Sequence, residues 1–207
     1  MSIIHACPQR SEEWYRLRCG MPTASEFSKI VTSTGAESKS RGGYSISLAA
    51  EMYAGGSVDT WGGNVHLERG RTLEEDAISR YEFENDVAVS PVGFVTDDDK
   101  TCGCSPDGFV GNHGMVEVKC LKAENHIAAI IYFRKNGTCP TDHVQQTQGQ
   151  MWIAERAWVD LIFYHPCLPM LVIRQEPNMA VIAGLSAGIA SLIADRDQIV
   201  SMLRSSS

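Results

Sequence analysis

The stretch SPDGFVGNHGMVEVK, residues 105–119, places two acidic residues and a lysine at the spacing of a β-hairpin. Apolar and β-branched residues fill its two halves, and a turn-like Gly-Asn-His-Gly separates them at 111–114. With a turn centred there, antiparallel pairing sets Asp107 opposite Glu117, and the two-residue period of a strand puts Glu117 and Lys119 on one face. The stretch therefore predicts two carboxylates and one ammonium group close together in space.

The charges of this hairpin indicate a particular chemistry. Two carboxylates this close repel each other unless a cation lies between them, and their oxygens suit a hard divalent cation such as Mg2+, for which Mn2+ could substitute. Such an ion polarises a phosphodiester and acidifies a water molecule, while an ammonium group orients that water and offsets charge on the phosphoryl oxygens. The pattern predicts a metal-dependent nuclease centre of Asp107, Glu117 and Lys119. The alternative is an ordinary hairpin whose charged side chains only meet solvent.

Length, composition and cysteine content restrict the class of protein. A chain of 207 residues with 43% hydrophobic content is long enough for one sizeable core and short for two, so we expect a single domain over 1–207. Seven scattered cysteines without zinc-site spacing fit a reducing cytoplasm. The start of the chain has no signal-peptide pattern, and no apolar run approaches the roughly twenty residues of a membrane helix. These features predict a cytoplasmic protein with no membrane segment.

The net charge of −7 argues against a protein that coats nucleic acid in general, because binding to phosphates depends on clustered lysine and arginine side chains. Any contact with DNA must therefore be confined to a local groove or channel. Part of the acidity belongs to the predicted metal site itself, so the charge constrains where DNA can bind and does not argue against binding.

Basic residues precede a helix signal near the N-terminus. Thr23-Ala24-Ser25-Glu26 has the form of a capping box, which predicts a helix that starts at Thr23 and offers free amides to an anion. Arg16 and Arg18 lie just upstream, and Arg18 could supply a bidentate fork to a terminal phosphate. A surface arginine pair beside an ordinary helix cap is the alternative.

Periodicity predicts an α/β protein with a central mixed β-sheet flanked by helices. The predicted strands cover residues 87–95, 115–121, 158–164 and 171–173. The predicted helices cover residues 141–156, 181–203, 65–84 and 45–53, the last with Ile46, Ala49, Ala50 and Tyr53 on one face. Residues 37–43 contain no apolar side chain, which predicts a mobile loop that either closes over DNA through Lys39 and Arg41 or is simply solvated.

The helix predicted over 65–84 has an inward strip formed by Leu67, Gly70, Leu73 or Glu74, Ala77 and Tyr81. A carboxylate that points toward a core is unfavourable unless it is paired or bound to metal. We therefore expect a third acidic group of the metal site here, acting directly or through water. Composition alone leaves the choice among Glu74, Glu75 and Asp76 open.

The helix predicted over 141–156 has a polar face with His143, Gln146 and Gln150 at i, i+3 and i+7. Gln146 is the favoured site residue, because an amide can orient a water molecule or a phosphate oxygen without adding charge. The alternative is a glutamine-rich helix that is merely solvated.

Taken together, these motifs resemble the PD-(D/E)xK nuclease superfamily, and their order is similar to that of the bacteriophage lambda exonuclease family. The resemblance extends from about residue 11 to residue 166. It is carried by the stretches Glu13–Gly20, Thr23–Glu26, Gly70–Ala77, Cys104–Gly108, Glu117–Cys120 and Gln146–Trp152. Several dispersed motifs in the correct order are far more specific than any one of them.

The resemblance implies a restriction-endonuclease-like fold and assigns roles to individual residues. In the helix predicted over 65–84, it places the functional acid at Glu74, four residues after Gly70. It implies a 5′-phosphate pocket of Arg18, Ser25 and Ser105. Around the metal it implies Asp107 and Glu117 as ligands with the main-chain carbonyl of Val118, beside Lys119 and Gln146. The family has a tyrosine where this chain has His143.

By the same resemblance, we expect a Mg2+-dependent 5′-to-3′ exonuclease, encoded by a phage or prophage and active in the bacterial cytoplasm. It would digest one strand of linear double-stranded DNA from a 5′-phosphorylated end and leave a 3′ single strand for recombination by annealing. The family also implies a ring-shaped homotrimer and a single-strand annealing recombination protein as partner. Two alternatives remain: a structure- or site-specific endonuclease on the same metal centre, and a non-catalytic module that binds DNA ends.

Overall fold

The computed structural model describes residues 1–56 and 65–205, and only the backbone over 65–71. Eight strands and six α-helices follow one another along these ranges, with short 3-10 helices at Ala24–Lys29 and Thr141–His143. In chain order the elements are β1 Ile3–His5, α1 Glu12–Arg18, α2 Arg41–Ala54, α3 Val65–Asn85, β2 Val89–Ser90, β3 Phe94–Thr96, β4 Gly103–Cys104, β5 Gly108–Val110, β6 Gly114–Cys120, α4 Ala123–Asn136, α5 Val144–Ile153, β7 Trp158–Tyr164, β8 Leu171–Gln175 and α6 Met179–Ser205.

The central sheet has five strands in the order β2-β5-β6-β7-β8. The β6 and β7 strands pair in parallel over seven residues each, and every other neighbouring pair is antiparallel. The prediction of a mixed sheet flanked by helices is therefore confirmed. The parallel pair needs a crossover connection, which α4 and α5 supply.

The two faces of this sheet are buried against different helices. On one face, Val116 and Val118 pack with Ala77 and Tyr81 of α3. On the other face, Met115 belongs to the largest hydrophobic cluster, together with residues from α2, α5 and α6. The predicted alternation along β6 is thus confirmed, and it leaves Glu117 and Lys119 on the face toward α5.

The prediction of one strand over 87–95 is wrong, because the structure forms two strands there that belong to different sheets. β2 pairs with β5, whereas β3 lies in a separate three-stranded sheet in the order β1-β3-β4. Pro91 lacks an amide hydrogen for a ladder. A Cβ atom at Gly93 would collide with the Cys7 carbonyl oxygen, so the chain passes too close to its neighbour to continue one regular strand.

Two predictions about the region from residue 37 to residue 54 are also corrected. Helix α2 begins at Arg41, and its guanidinium group pairs with Glu37 at 3.0 Å and with Asp195 of α6 at 2.9 Å. Arg41 therefore anchors two elements and is not carried on a free loop. The inward face of α2 consists of Tyr44, Ser45, Leu48 and Ala49, whereas Ile46 and Tyr53, two residues of the predicted common face, are exposed.

Helix α3 follows its prediction closely. Ala77 and Tyr81 are fully buried and Leu73 is partly buried, while the predicted strip positions Leu67 and Gly70 lie outside the described side chains. The Tyr81 hydroxyl donates to Asp160 Oδ2 of β7 at 2.6 Å, which ties the helix to the sheet.

Within the described residues one helix, α6, is long and apolar enough to cross a membrane by length and composition, with a mean hydropathy of 1.4 over its most apolar window. Its buried side chains Leu185, Ile189 and Leu192 form a stripe at helical spacing that belongs to the largest hydrophobic cluster. A core helix passes the same test, and α6 packs against α2 and α5.

Candidate active site

The predicted hairpin is present in the predicted register. Phe109 pairs with Met115, and Gly108 pairs with Val116. One step further along the ladder, Asp107 lies opposite Glu117, and its amide donates to the Val116 carbonyl at 3.1 Å. Local strand pairing therefore brings the two carboxylates together.

The Glu117 carboxylate is almost completely buried and has three hydrogen-bond donors around it. Lys119 Nζ and Gln146 Nε2 donate to its Oε1 atom at 2.7 and 2.6 Å, and Gln150 Nε2 donates to Oε2 at 2.7 Å. Lys119 Nζ also donates to Gln146 Oε1 at 2.9 Å. Two side chains of α5 thus fix the orientation of both the carboxylate and the ammonium group.

The negative charge of the Asp107 carboxylate has fewer hydrogen-bond donors around it than that of Glu117. Its Oδ2 atom accepts one hydrogen bond, from the Val118 amide at 2.6 Å. Burial, followed by the negative charges of Glu117 and Glu74, raises the pKa of Asp107 well above its ordinary range, against the opposing effects of Val118 and Lys119. Negative charge at this position is therefore only partly compensated by Lys119.

Lys119 remains charged despite its surroundings. Burial disfavours the ammonium form, but the carboxylates of Glu117, Asp107 and Glu74 outweigh that effect and raise the pKa of Lys119. A cation is thus maintained beside the two acids at neutral pH.

The structure favours Glu74 over its two competitors as the third acid. The side chain of Glu74 is 29% exposed, whereas Glu75 and Asp76 are exposed residues. Glu74 and Glu75 both line a groove together with Asp107, but of the three candidates only Glu74 contributes to the raised pKa of Asp107. It lies 3.7 Å from Arg10.

The donor set fits a hard divalent cation. Three carboxylates face one lysine, and the least compensated of them, Asp107, is held in an environment that favours added positive charge. Over residues 1–56 and 72–205, whose side chains the structure describes, no three His, Cys, Asp or Glu side chains converge closely enough to hold an ion by themselves. A cation here would therefore also need other oxygen ligands, such as a main-chain carbonyl or water. The carbonyl of Val118 and a water on Glu74 remain the predicted ones.

The three residues of the predicted phosphate pocket come together in space. Arg18, Ser25 and Ser105 line one cavity of about 180 Å³, and Gln146 and Gln150 close it toward Glu117. The phosphate pocket and the carboxylates are therefore contiguous.

Aromatic packing holds the arginine of this cavity in place. Arg18 lies over the Trp14 ring at 4.1 Å, and its Nη2 atom donates to Thr23 Oγ1 at 3.1 Å. The indole Nε1 of Trp14 donates to Ser105 Oγ at 2.8 Å. Burial lowers the pKa of Arg18, but an arginine keeps its charge at physiological pH. Trp14 thus links two walls of the cavity.

The predicted capping box does not form. Residues Ala24–Lys29 form a six-residue 3-10 helix, and the Thr23 side chain makes no capping hydrogen bond because it accepts from Arg18 instead. Arg16 lines a neighbouring cavity of about 840 Å³ and not the phosphate cavity. The cavity therefore does not lie at the N-terminus of an α-helix.

The idea of a solvated glutamine helix is wrong, because Gln145, Gln148 and Gln150 are all buried. Gln145 donates to the Val31 carbonyl and Gln148 to the Glu176 carbonyl, so each glutamine bonds a different element. Gln150 was not predicted as a site residue, although it lies one helical turn after Gln146 on the predicted polar face. The helical spacing of His143, Gln146 and Gln150 is the sequence feature that could have identified it.

His143 lies beside the site. Burial, followed by the charge of Lys119, lowers the pKa of His143 and favours the neutral ring. The ring packs edge-on against Phe163 with centroids 5.3 Å apart.

Comparisons with known proteins agree with this geometry. Residues 13–157 match the model of the YqaJ-like viral recombinase domain. The structure is similar to that of an alkaline exonuclease, LHK-Exo from Laribacter hongkongensis, with 30% sequence identity, a TM-score of 0.81 and coverage of 95% of this chain and 97% of that one. A second LHK-Exo structure, in complex with dAMP, matches at 29% identity with the same TM-score and the same coverage.

A phage-related exonuclease from Haemophilus somnus 129PT shares the fold, with a TM-score of 0.67, 15% identity and coverage of 88% of this chain and 96% of that one. No curated protein matches the sequence significantly. The family match covers well over half of the chain, and it agrees with the motifs and with the PD-(D/E)xK-type fold of the neighbours. The chain therefore belongs to the YqaJ-like viral recombinase family, within the group similar to lambda exonuclease, and is a deoxyribonuclease of the phage exonuclease type.

Proposed function

We propose that this exonuclease uses Mg2+ to digest one strand of linear duplex DNA from a 5′-phosphorylated end, in the 5′-to-3′ direction, and leaves a 3′ single strand for recombination by annealing. The observation that carries the proposal is the contiguity of two sites. The cavity of Arg18, Ser25 and Ser105 opens beside the carboxylates, and Gln146 and Gln150 form part of both.

The cavity suits a terminal phosphate. It offers a guanidinium fork and two hydroxyl groups, which are strong ligands for phosphate oxygens. An internal phosphodiester bears one negative charge and carries sugars on both sides, whereas a terminal phosphate is more highly charged and has three free oxygens. A small cavity whose lining includes Arg18, Ser25 and Ser105 therefore favours the end of a strand. The dAMP complex of LHK-Exo supports binding of a single nucleotide in this fold.

The residues around Glu117 have separable tasks in this mechanism. Asp107 and Glu117, with Glu74 through water and the Val118 carbonyl, would hold the metal, which supplies polarisation of the scissile phosphate. Lys119 provides a fixed cation for the charge that develops on the phosphoryl oxygens. Gln146 bonds both Lys119 and Glu117, so it fixes the distance between the cation and the carboxylate. Gln150 fixes the other carboxylate oxygen.

We further propose a ring-shaped homotrimer that encloses its DNA and a single-strand annealing protein that accepts the product strand. Family membership supports both. A closed ring would also explain how a chain with a net charge of −7 stays on its substrate, since release would be followed by recapture. A bacterial cytoplasm with a phage or prophage gene fits the family, and all seven cysteines are free thiols. Sedimentation that shows a monomer under conditions of processive digestion would contradict the ring.

Digestion of matched DNA substrates tests the proposed activity. Linear duplexes that differ only in a 5′-phosphate or 5′-hydroxyl group, together with a closed circle of the same sequence, are incubated with and without Mg2+. We expect digestion of the linear duplexes alone, faster with the 5′-phosphate, and only with Mg2+. Cleavage of the closed circle would instead support an endonuclease, and binding to ends without any digestion would support a recruitment module.

A further inference from the structure

Arg10 occupies a backbone conformation that arginine rarely adopts. It lies in the turn Pro8–Ser11, which is closed by a hydrogen bond from the Ser11 amide to the Pro8 carbonyl at 3.2 Å. The φ angle of Arg10 is +66°, in the left-handed region that glycine or asparagine normally takes at the third position of such a turn. A residue held in this way is strained, so its side chain needs a reason to be there.

The described chain has three other non-glycine residues with positive φ, and each has an evident structural setting. Asp86 and Glu155 follow the ends of α3 and α5, where left-handed residues commonly terminate helices, and Lys100 closes an exposed surface turn. Arg10 differs because it lines the predicted site. Its side chain borders both the phosphate cavity and the groove that contains Glu74 and Asp107.

The turn is fixed against the site from both sides of Arg10. Gln9 Nε2 donates to the carbonyls of Val92 and Pro106, each at 3.0 Å, which holds the turn beside the residue before Asp107. Ser11 caps α1 by accepting from the Trp14 amide at 3.2 Å. These contacts determine where the guanidinium group can reach.

The present partner of Arg10 does not account for the strained position. Arg10 Nη2 lies 3.7 Å from Glu74 Oε2, and the two side chains are 42% and 29% exposed. A long and partly exposed ion pair of this kind contributes little to stability. The ion pair does, however, keep the Arg10 guanidinium group between the carboxylates and the cavity of Arg18. The phosphates of a strand that enters the site must pass this position.

We propose that Arg10 binds the phosphodiester that is to be cleaved, through its guanidinium group at the boundary between the phosphate cavity and the carboxylates. This inference rests on the proposed function, which supplies the anion. Arg18 holds the terminal phosphate, Arg10 holds the next phosphate along the strand, and Glu74 is the resting partner that Arg10 exchanges for the substrate. Binding, and not stability, thus explains an arginine at a turn position suited to glycine.

The variant Arg10→Gly separates the two explanations, because glycine relieves the backbone strain and removes the guanidinium group. We expect its thermal midpoint to equal or exceed that of the wild type. Its kcat/KM on a 5′-phosphorylated linear duplex should fall about 10- to 100-fold, the usual range for loss of a charge-assisted hydrogen bond. Its preference for 5′-phosphate over 5′-hydroxyl should persist, since Arg18, Ser25 and Ser105 are unchanged.

Salt dependence gives an independent reading of the lost phosphate contact. The slope of log Kd for the duplex against log salt, measured with Ca2+ in place of Mg2+, should become shallower by about 0.9 in Arg10→Gly. Arg10→Lys should keep the salt slope of the wild type and be more active than Arg10→Gly, because lysine retains the positive charge but lacks the bidentate guanidinium fork. The matched control is Lys100→Gly, which removes a basic residue with a φ of +55° from an exposed turn and should leave kcat/KM and slope unchanged.

Two outcomes would overturn the role of Arg10. One is an Arg10→Gly enzyme with kcat/KM within twofold of the wild type and the same salt slope. The other is an Arg10→Gly enzyme that has lost activity and also has a lower thermal midpoint, which would indicate a structural role. Asparagine also tolerates positive φ, so Arg10→Asn repeats the comparison of activity with thermal midpoint. If wild-type protein does not digest linear duplexes at all, the proposed function fails, whereas normal wild-type digestion with an unaffected Arg10→Gly enzyme defeats only this inference.

Discussion

The carboxylate hairpin, residues 105–119, and the phosphate cavity of Arg18, Ser25 and Ser105 adjoin each other but are held together by different forces. Main-chain pairing over adjacent residues sets the hairpin, and even the Asp107 side chain is fixed by the backbone amide of Val118. The cavity depends on side chains far apart in sequence, such as Trp14 and Ser105, which are 91 residues apart. The carboxylate pair is thus encoded locally, whereas the cavity proposed to select the substrate is a product of tertiary packing.

This difference leads to different expected responses to mutation. A change in the hairpin removes a charge from a rigid frame, so activity should fall while the fold and DNA binding persist. A change in the cavity should alter which ends are chosen before it alters the chemistry. The following predictions are ordered from the largest expected effect to the smallest, and each compares the two regions.

Lys119→Ala should reduce kcat by about 10²- to 10³-fold, because it removes the fixed cation beside the scissile phosphate. Binding of a 5′-phosphorylated duplex, measured by anisotropy, should remain within a few-fold of the wild type because the cavity is intact. Lys135→Ala, at the exposed end of α4, serves as the control for loss of one positive charge. A Lys119→Ala enzyme with near-normal turnover would remove Lys119 from the mechanism.

Arg18→Ala should abolish most of the preference for a 5′-phosphate, a change of about 10- to 100-fold in the ratio of kcat/KM for phosphate and hydroxyl ends. Digestion of the hydroxyl end should change little. Arg80→Ala removes an exposed arginine of α3 that pairs with Glu84 and should keep the preference. An unchanged preference in Arg18→Ala would show that the cavity does not bind the terminal phosphate.

Gln150→Leu should lower kcat about tenfold, at the low end for a charge-assisted hydrogen bond, because Glu117 keeps Lys119 and Gln146 as donors. Gln145→Leu is the matched control: it removes an equally buried glutamine that bonds the Val31 carbonyl, and it should change stability without a specific loss of kcat. Equal kinetic effects in the two variants would mean that Gln150 acts only through packing.

Asp107 should make the stability of the metal-free protein depend on pH. Its pKa is raised in the folded state, so its stabilising contribution is complete below the pKa of the unfolded chain and is lost as the pH rises through the folded-state pKa. With EDTA, the thermal midpoint should therefore decrease from acid toward neutral pH, less so in Asp107→Asn, and Mg2+ should restore it at neutral pH. Parallel pH profiles of the wild type and Asp107→Asn, without a response to Mg2+, would contradict this effect.

The same contrast explains how much the sequence could predict. The hairpin register, the β7 strand and the burial of Ala77 and Tyr81 followed from periodicities of two and 3.6 residues, which are local properties. The break between β2 and β3 could not be predicted from periodicity, because it depends on how closely Gly93 approaches Cys7. Close approach of distant segments leaves no trace in local periodicity.

Within the site, the family pattern named Arg18, Ser25 and Ser105, but the reason for their proximity lies in Trp14, whose indole bonds one wall and stacks on another. The capping-box motif gave the wrong local structure, since the Thr23 hydroxyl accepts from Arg18 and makes no hydrogen bond that caps its own helix. Helical spacing is enough to predict that Gln150 lies beside Gln146 at the site. The positive φ of Arg10, in contrast, cannot be predicted from residue types.

The short segment from Ser105 to Asp107 has one more consequence. Its two ends contribute to the phosphate cavity and to the carboxylate pair, and two residue steps span at most about 7 Å. Under the proposed function, such a segment would act as a fixed molecular ruler between the bound strand terminus and the bond that breaks. Products one nucleotide long are therefore expected throughout digestion, and size analysis that finds mainly longer oligonucleotides would show that the ruler is not used.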